Sequence, residues 1–123
     1  MDQTTLHSLR QRDKAELQQL LGALNGAKNG FRLDHCSDYM IAGSRGEIRA
    51  CNGTFSIYIR THSIRAWNFA KKQLHFCVVR QDGDDEGILT LDRLPTEAEA
   101  KVIRDYVGLR QTRPPEQAAH LRS

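Results

Sequence analysis

The stretch 46-GEIRACNGTFSIYIR-60 decides the fold. Asn52-Gly53 is the preferred pair for a two-residue type I′ turn, in which both central residues take positive φ. Such a turn predicts a register with Ala50 opposite Phe55, Ile48 opposite Ile57 and Glu47 opposite Tyr58. Ile48, Ala50, Phe55, Ile57 and Ile59 then share one face. The other carries Glu47, Arg49, Cys51, Thr54, Ser56, Tyr58 and Arg60. A slip of one residue would mix the two sets, so pattern and turn chemistry specify the same hairpin.

Upstream, an extended stretch at Tyr39–Ala42, together with Phe31–Asp34, is expected to add one more strand. Before it, residues 4–25 read as an amphipathic helix capped by Thr4 or Thr5 and stopped by Asn25-Gly26. Its stripe is Leu6, Leu9, Leu17, Leu20, Leu21 and Leu24, interrupted by Asp13. Downstream, Ser63–Leu74 is predicted helical, with Ile64, Ala66, Trp67, Ala70 and Leu74 inward, Phe69 at the margin of that arc, and Arg65, Asn68 and Lys72 outward. A second hairpin follows, His75–Gln81 and Ile88–Leu94 around the acidic loop Asp82–Gly87, with Cys77 and Val79 matched to Leu89 and Leu91. The last helix opens on a capping box, Thr96 to Glu99. Its predicted buried face is Ala98, Val102, Tyr106 and Leu109, with Ile103 on the shoulder, and Gly108 ends it.

The order α-β-ββ-α-ββ-α points to an α+β domain: a two-layer antiparallel sheet of about five strands with three helices on one face. At 123 residues the chain has room for one domain, read as 1–110 with a loose tail at 111–123. The order is loosely similar to the α-β-β-β-α of a double-stranded-RNA-binding domain. The helix at 63–74 departs from that pattern, and no residue role is carried over.

Sheet width sets a further expectation. Strands lie ~4.8 Å apart, so about five span roughly 20–24 Å, and helices packed ~8–10 Å apart leave room for two. The leucine stripe of the first helix must be buried on the domain's own sheet, the more common solution, or against a second copy. The width argument points to the copy, an isologous homodimer through the six leucines.

No apolar run approaches the ~18 residues of a membrane helix, and Met1-Asp2-Gln3-Thr4 does not read as an export signal. Three cysteines, Cys36, Cys51 and Cys77, are too few for a disulfide scaffold, so a reducing cytoplasm is expected. Asp82, Asp84, Glu86 and Gly87 imitate the start of a calcium loop, yet Arg93 stands where its bidentate Glu belongs. His35, Cys36, Cys51, His75 and Cys77 are zinc-type donors without any Cys-x-x-Cys pair. His62 has no spacing that joins it to Cys36, Cys51 or Asp38 as a catalytic pair. Neither enzyme activity, metal nor cofactor is expected.

Charge gives the remaining lead. The net charge is +3, but residues 28–80 hold nine Lys and Arg against three Asp and Glu, a local +6. Arginine favours bidentate contact with phosphate or carboxylate. Arg49, Tyr58 and Arg60 on the outer hairpin face, with Arg65, Asn68 and Lys72 on the following helix, form the expected binding surface. Nucleic acid is the first partner class, since cations track phosphates and Tyr58 offers a stacking plane. The alternative is a protein–protein adaptor or small inhibitor, because Tyr and Arg also anchor protein interfaces.

Overall fold

Asn52 and Gly53 have φ of 54° and 79°, and the flanking strands pair in the register this turn imposes. Ala50 stands opposite Phe55, Ile48 opposite Ile57 and Glu47 opposite Tyr58. The computed structural model describes residues 3–112. Its elements in chain order are α1 (Gln3–Ala23), β1 (Phe31–Leu33), β2 (Tyr39–Ala42), β3 (Gly46–Cys51), β4 (Thr54–Arg60), α2 (Ile64–Gln73), β5 (Val78–Asp82), β6 (Glu86–Leu91) and α3 (Glu97–Val107). Of the segment 111–123 read as a loose tail, Gln111 bridges Gly26 and the Thr112 N–H donates to the Asn25 carbonyl at 2.8 Å, so these two residues are tied to the end of α1. Residues 113–123 lie outside the described residues.

Among the described residues six strands form one antiparallel sheet in the order β1-β2-β3-β4-β6-β5. The count exceeds the expected five because Phe31–Leu33 and Tyr39–Ala42 are two strands of a hairpin, not one strand. Asp34 makes their connection: its carboxylate accepts from the Cys36 and Asp38 N–H groups at 2.8 and 3.0 Å, an Asx turn. In the second hairpin β6 is central and β5 is the edge. Leu89 and Leu91 of β6 are buried, whereas every residue of β5 is exposed. A register shift at Val79/Gln81 further breaks that edge, as bulges at sheet margins do.

The core lies on one sheet face, where Ile41, Ile48, Phe55, Ile57, Ile59, Leu89 and Leu91 meet all three helices. Leu17 and Leu20 of α1, which packs against β1–β3, and the adjoining Leu24 are fully buried in this core. The expectation that one helix must leave the sheet is thus corrected. A sixth strand widens the platform, and α2 sits over its far end, with Trp67 against the backbone of Gly87. Of the six leucines assigned to a dimer contact, Leu17, Leu20 and Leu24 are consumed internally and Leu21 in part. Leu6 is exposed and Leu9 half-buried.

Helix ends follow the sequence signals, with one exception. Asn25 takes φ 53°, and Gly26 N–H and Asn25 N–H donate to the Leu21 and Gly22 carbonyls at 3.1 and 3.0 Å, a Schellman stop. Ser63 caps α2 and the Thr96/Glu99 box caps α3. Thr4 and Thr5 are not caps, because α1 is already helical at Gln3.

Two faces needed correction. In α3 the buried residues are Ala100, Ile103 and Val107, while Ala98 is exposed and Val102, Tyr106 and Leu109 are half-buried. The helix is apolar over a wide arc, and packing places its branched Ile103 and Val107 deepest. Arg104 adds a tie, donating to the Leu24 carbonyl at 2.7 Å. In α2, Ile64 and Phe69 are exposed, and burial is left to Trp67, Ala70 and the adjoining Leu74. No helix among the described residues is long and apolar enough to cross a membrane.

Candidate functional site

The open face of the sheet holds the first three sequence-predicted residues. Alternation along β3 and β4 turns Arg49, Tyr58 and Arg60 away from the helices. Arg49 is neutralised there. Its guanidinium lies 2.6 Å from the Asp34 carboxylate and 3.4 Å from that of Glu47. The Asp38 N–H and Arg49 together hold the Asp34 carboxyl down to about 2. A guanidinium already facing two carboxylates has little attraction left for a phosphate. The Tyr58 phenol donates to the Glu86 carboxylate, a bond that raises the phenol above its ordinary range. Arg49 and Tyr58 are therefore parts of a charge-balanced surface.

Arg60 differs. It closes β4, is exposed, and no carboxylate among the described residues lies within ion-pair distance of it. Its N–H donates to the Arg45 carbonyl at 2.9 Å, which places it beside the turn at residues 43–46. That turn is clamped to the end of α3. Ser44 N–H donates to the Gly108 carbonyl at 3.1 Å and Arg45 N–H to that of Val107 at 2.9 Å. The Arg45 guanidinium donates to the Asp105 carbonyl. Gly43 is required at this crossing, since a Cβ would stand 2.2 Å from the Val107 carbonyl oxygen.

The third contributor is α2. Thr61 fixes its approach through Oγ1 bonds to the carbonyls of Asp85 at 2.6 Å and Ser63 at 3.0 Å. With Trp67 and Ala70 on the sheet and ~100° per residue, Arg65, Asn68 and Lys72 project outward, and all three are exposed. Phe69 falls between this strip and Ala66. It is 58% exposed.

These elements enclose a groove of about 340 Å³ lined by Arg45, Arg60, Thr61, His62, Ala66, Phe69 and Tyr106. None of these residues is acidic. Tyr106 is half-buried against the core, and burial raises its phenol above the ordinary range. The groove offers two guanidiniums and an imidazole to an anion, with two aromatic side chains to a planar group.

The structure thus divides the six sequence-predicted binding residues. Arg60 lines the groove, and Phe69 links the groove to Arg65 and Lys72 on the outer face of α2, with Asn68 beside them. Arg49 and Tyr58 lie on the opposite side of the sheet from that strip. Sequence reasoning missed Arg45, His62, Phe69 and Tyr106 as partners. Phe69 carries a signal, standing at the margin of the apolar arc of its helix, whereas Tyr106 reads as part of the buried face of α3. The position of Arg45 depends on a turn packed against a helix over 60 residues later in the chain, which leaves no local trace. Among the described residues no three His, Cys, Asp or Glu side chains are grouped to hold a metal. No protein-family model matches the chain, and no characterised protein matches it in sequence.

Proposed function

We propose that the protein is a small, non-enzymatic nucleic-acid-binding module of a reducing cytoplasm, whose site is the groove at the end of the sheet and the adjoining outer face of α2. The observation that carries this reading is the grouping of Arg45, Arg60 and His62 with Phe69 and Tyr106, free of any carboxylate among the lining residues. Arg65 and Lys72 extend the positive surface along α2. Cations that track a backbone beside aromatic rings that take bases are the usual ingredients of such binding.

Titration of mixed-sequence DNA and RNA against the protein, followed by fluorescence anisotropy from low to moderate salt, tests it. Log K should fall linearly with log salt, and Arg60→Ala should make the slope shallower by about 0.7–0.9. Undetectable binding at low salt would overturn the proposal. A protein partner on the open sheet face is the second reading, favoured by the fixed Asp34–Arg49–Glu47 ion pairs and Tyr58, residue types that anchor protein interfaces.

A further inference from the structure

We propose that the groove receives one unpaired nucleobase, so that the module selects single-stranded nucleic acid over duplex. This inference rests on the nucleic-acid reading above and names the ligand form that the same site takes. Three observations carry it. The groove is small, about 340 Å³, near the lower end of the ~300–1,000 Å³ usual for ligand pockets, which suits one planar ring. Its side walls are aromatic, and Phe69 is 58% exposed at the groove margin, where a ring can lie against it. Its cations, Arg45 and Arg60, come from the β2–β3 turn and the end of β4 and line the same groove as Phe69 of α2. A base against Phe69 and Tyr106 would leave its phosphate beside those guanidiniums.

Duplex nucleic acid cannot use this arrangement without breaking a pair. Its bases are stacked inside the helix, and only its phosphates reach the rim. Single strands present unstacked bases, and stacking on an aromatic side chain tolerates any base because each has a π-face. The preference should therefore be for strand form and not for sequence.

The test compares a short single strand with its duplex at one low salt concentration, using the full chain and a fluorescent adenine analogue in the strand. The single strand should bind more tightly, with quenching of the analogue. Phe69→Ala should weaken single-strand binding about 5- to 100-fold, leave the salt slope unchanged, and reduce the preference over duplex. Phe69→Tyr should restore it. Because Phe69 is mostly exposed the fold does not depend on it, and a thermal melt of each variant verifies this. Equal binding of strand and duplex, with Phe69→Ala near the parent while Arg60→Ala still weakens binding, would overturn the base-capture inference and leave the proposed function standing. Absence of binding to any nucleic acid, or capture of a phosphopeptide in its place, would overturn both.

Discussion

The Asp34 carboxylate accepts from two backbone N–H groups and from Arg49, and Glu99 is held by Arg93 and by the Thr96 N–H. Both carboxyls are held down to about 2, below the ordinary range near 4. A lowered native value means that the unfolded chain binds more protons in between, so stability falls as pH falls. The stability these two groups contribute is complete above about pH 5 and drains away towards pH 2. Asp13 acts in the opposite sense. Its Oδ1 is buried without a hydrogen-bond partner among the described residues, and burial raises its carboxyl, so its protonation on acidification favours the native state. Asp82, which accepts from Lys71 and from the Trp67 Nε1–H, is also lowered, so three lowered carboxyls stand against one raised. Thermal melts across this window should show a falling midpoint. The double variant Asp34→Asn with Glu99→Gln should start lower at neutral pH and fall less. A parent midpoint that stays flat from pH 5 to about 2.5 would contradict this account.

Among the elements, the contact of α2 with β6 depends on a missing side chain. A Cβ on Gly87 would meet Trp67 Cζ2 at 2.2 Å and the Gln81 carbonyl oxygen at 2.4 Å. Trp67 cannot yield easily: it is buried, and its Nε1–H donates to the Asp82 carboxylate at 2.7 Å. Gly87→Ala should therefore destabilise by about 1–3 kcal/mol, the usual cost of overpacking. Trp67 is the only tryptophan, and its emission should shift as its ring is displaced. Gly22→Ala provides the contrast. Gly22 lies within α1 with nothing within 4 Å of a built Cβ, so that change should stabilise by about 0.5–1 kcal/mol. Urea unfolding of the two variants, read by tryptophan fluorescence, would measure both signs. Equal stability of the two would remove the packing argument.

At the scale of the whole molecule, one sheet face is covered by three helices and the other is open. Self-association through α1 is accordingly a proposal that now rests on Leu6 and Leu9. Leu6→Ser with Leu9→Ser should abolish any dimer without loss of the core, since neither residue is fully buried. Sedimentation of the parent chain and this variant, at matched high concentration, reads the outcome directly. A parent that sediments as a monomer removes the homodimer proposal.

The sequence by itself determined whatever depends on residues close together in the chain. Asn52-Gly53 set the turn and hence the register and the two faces of the first hairpin. Asn25, Ser63, Thr96 with Glu99, and Gly108 marked helix ends through backbone groups within a few residues. The tertiary structure decided the choices to which local energy is indifferent. The second hairpin has two strands, and only burial of Leu89 and Leu91 against the helices selects β6 as the neighbour of β4. In α3 two apolar arcs overlap, and the space left beside α1 picked Ala100, Ile103 and Val107 over Ala98 and Val102. Arg49 looked like a free cation until the β1–β2 turn brought Asp34 to it. Arg60 gained Arg45, Phe69 and Tyr106 because two turns and two helix ends converge where the central strands β3 and β4 begin and end. Such convergence is a property of packing between distant segments, and no spacing along the chain encodes it.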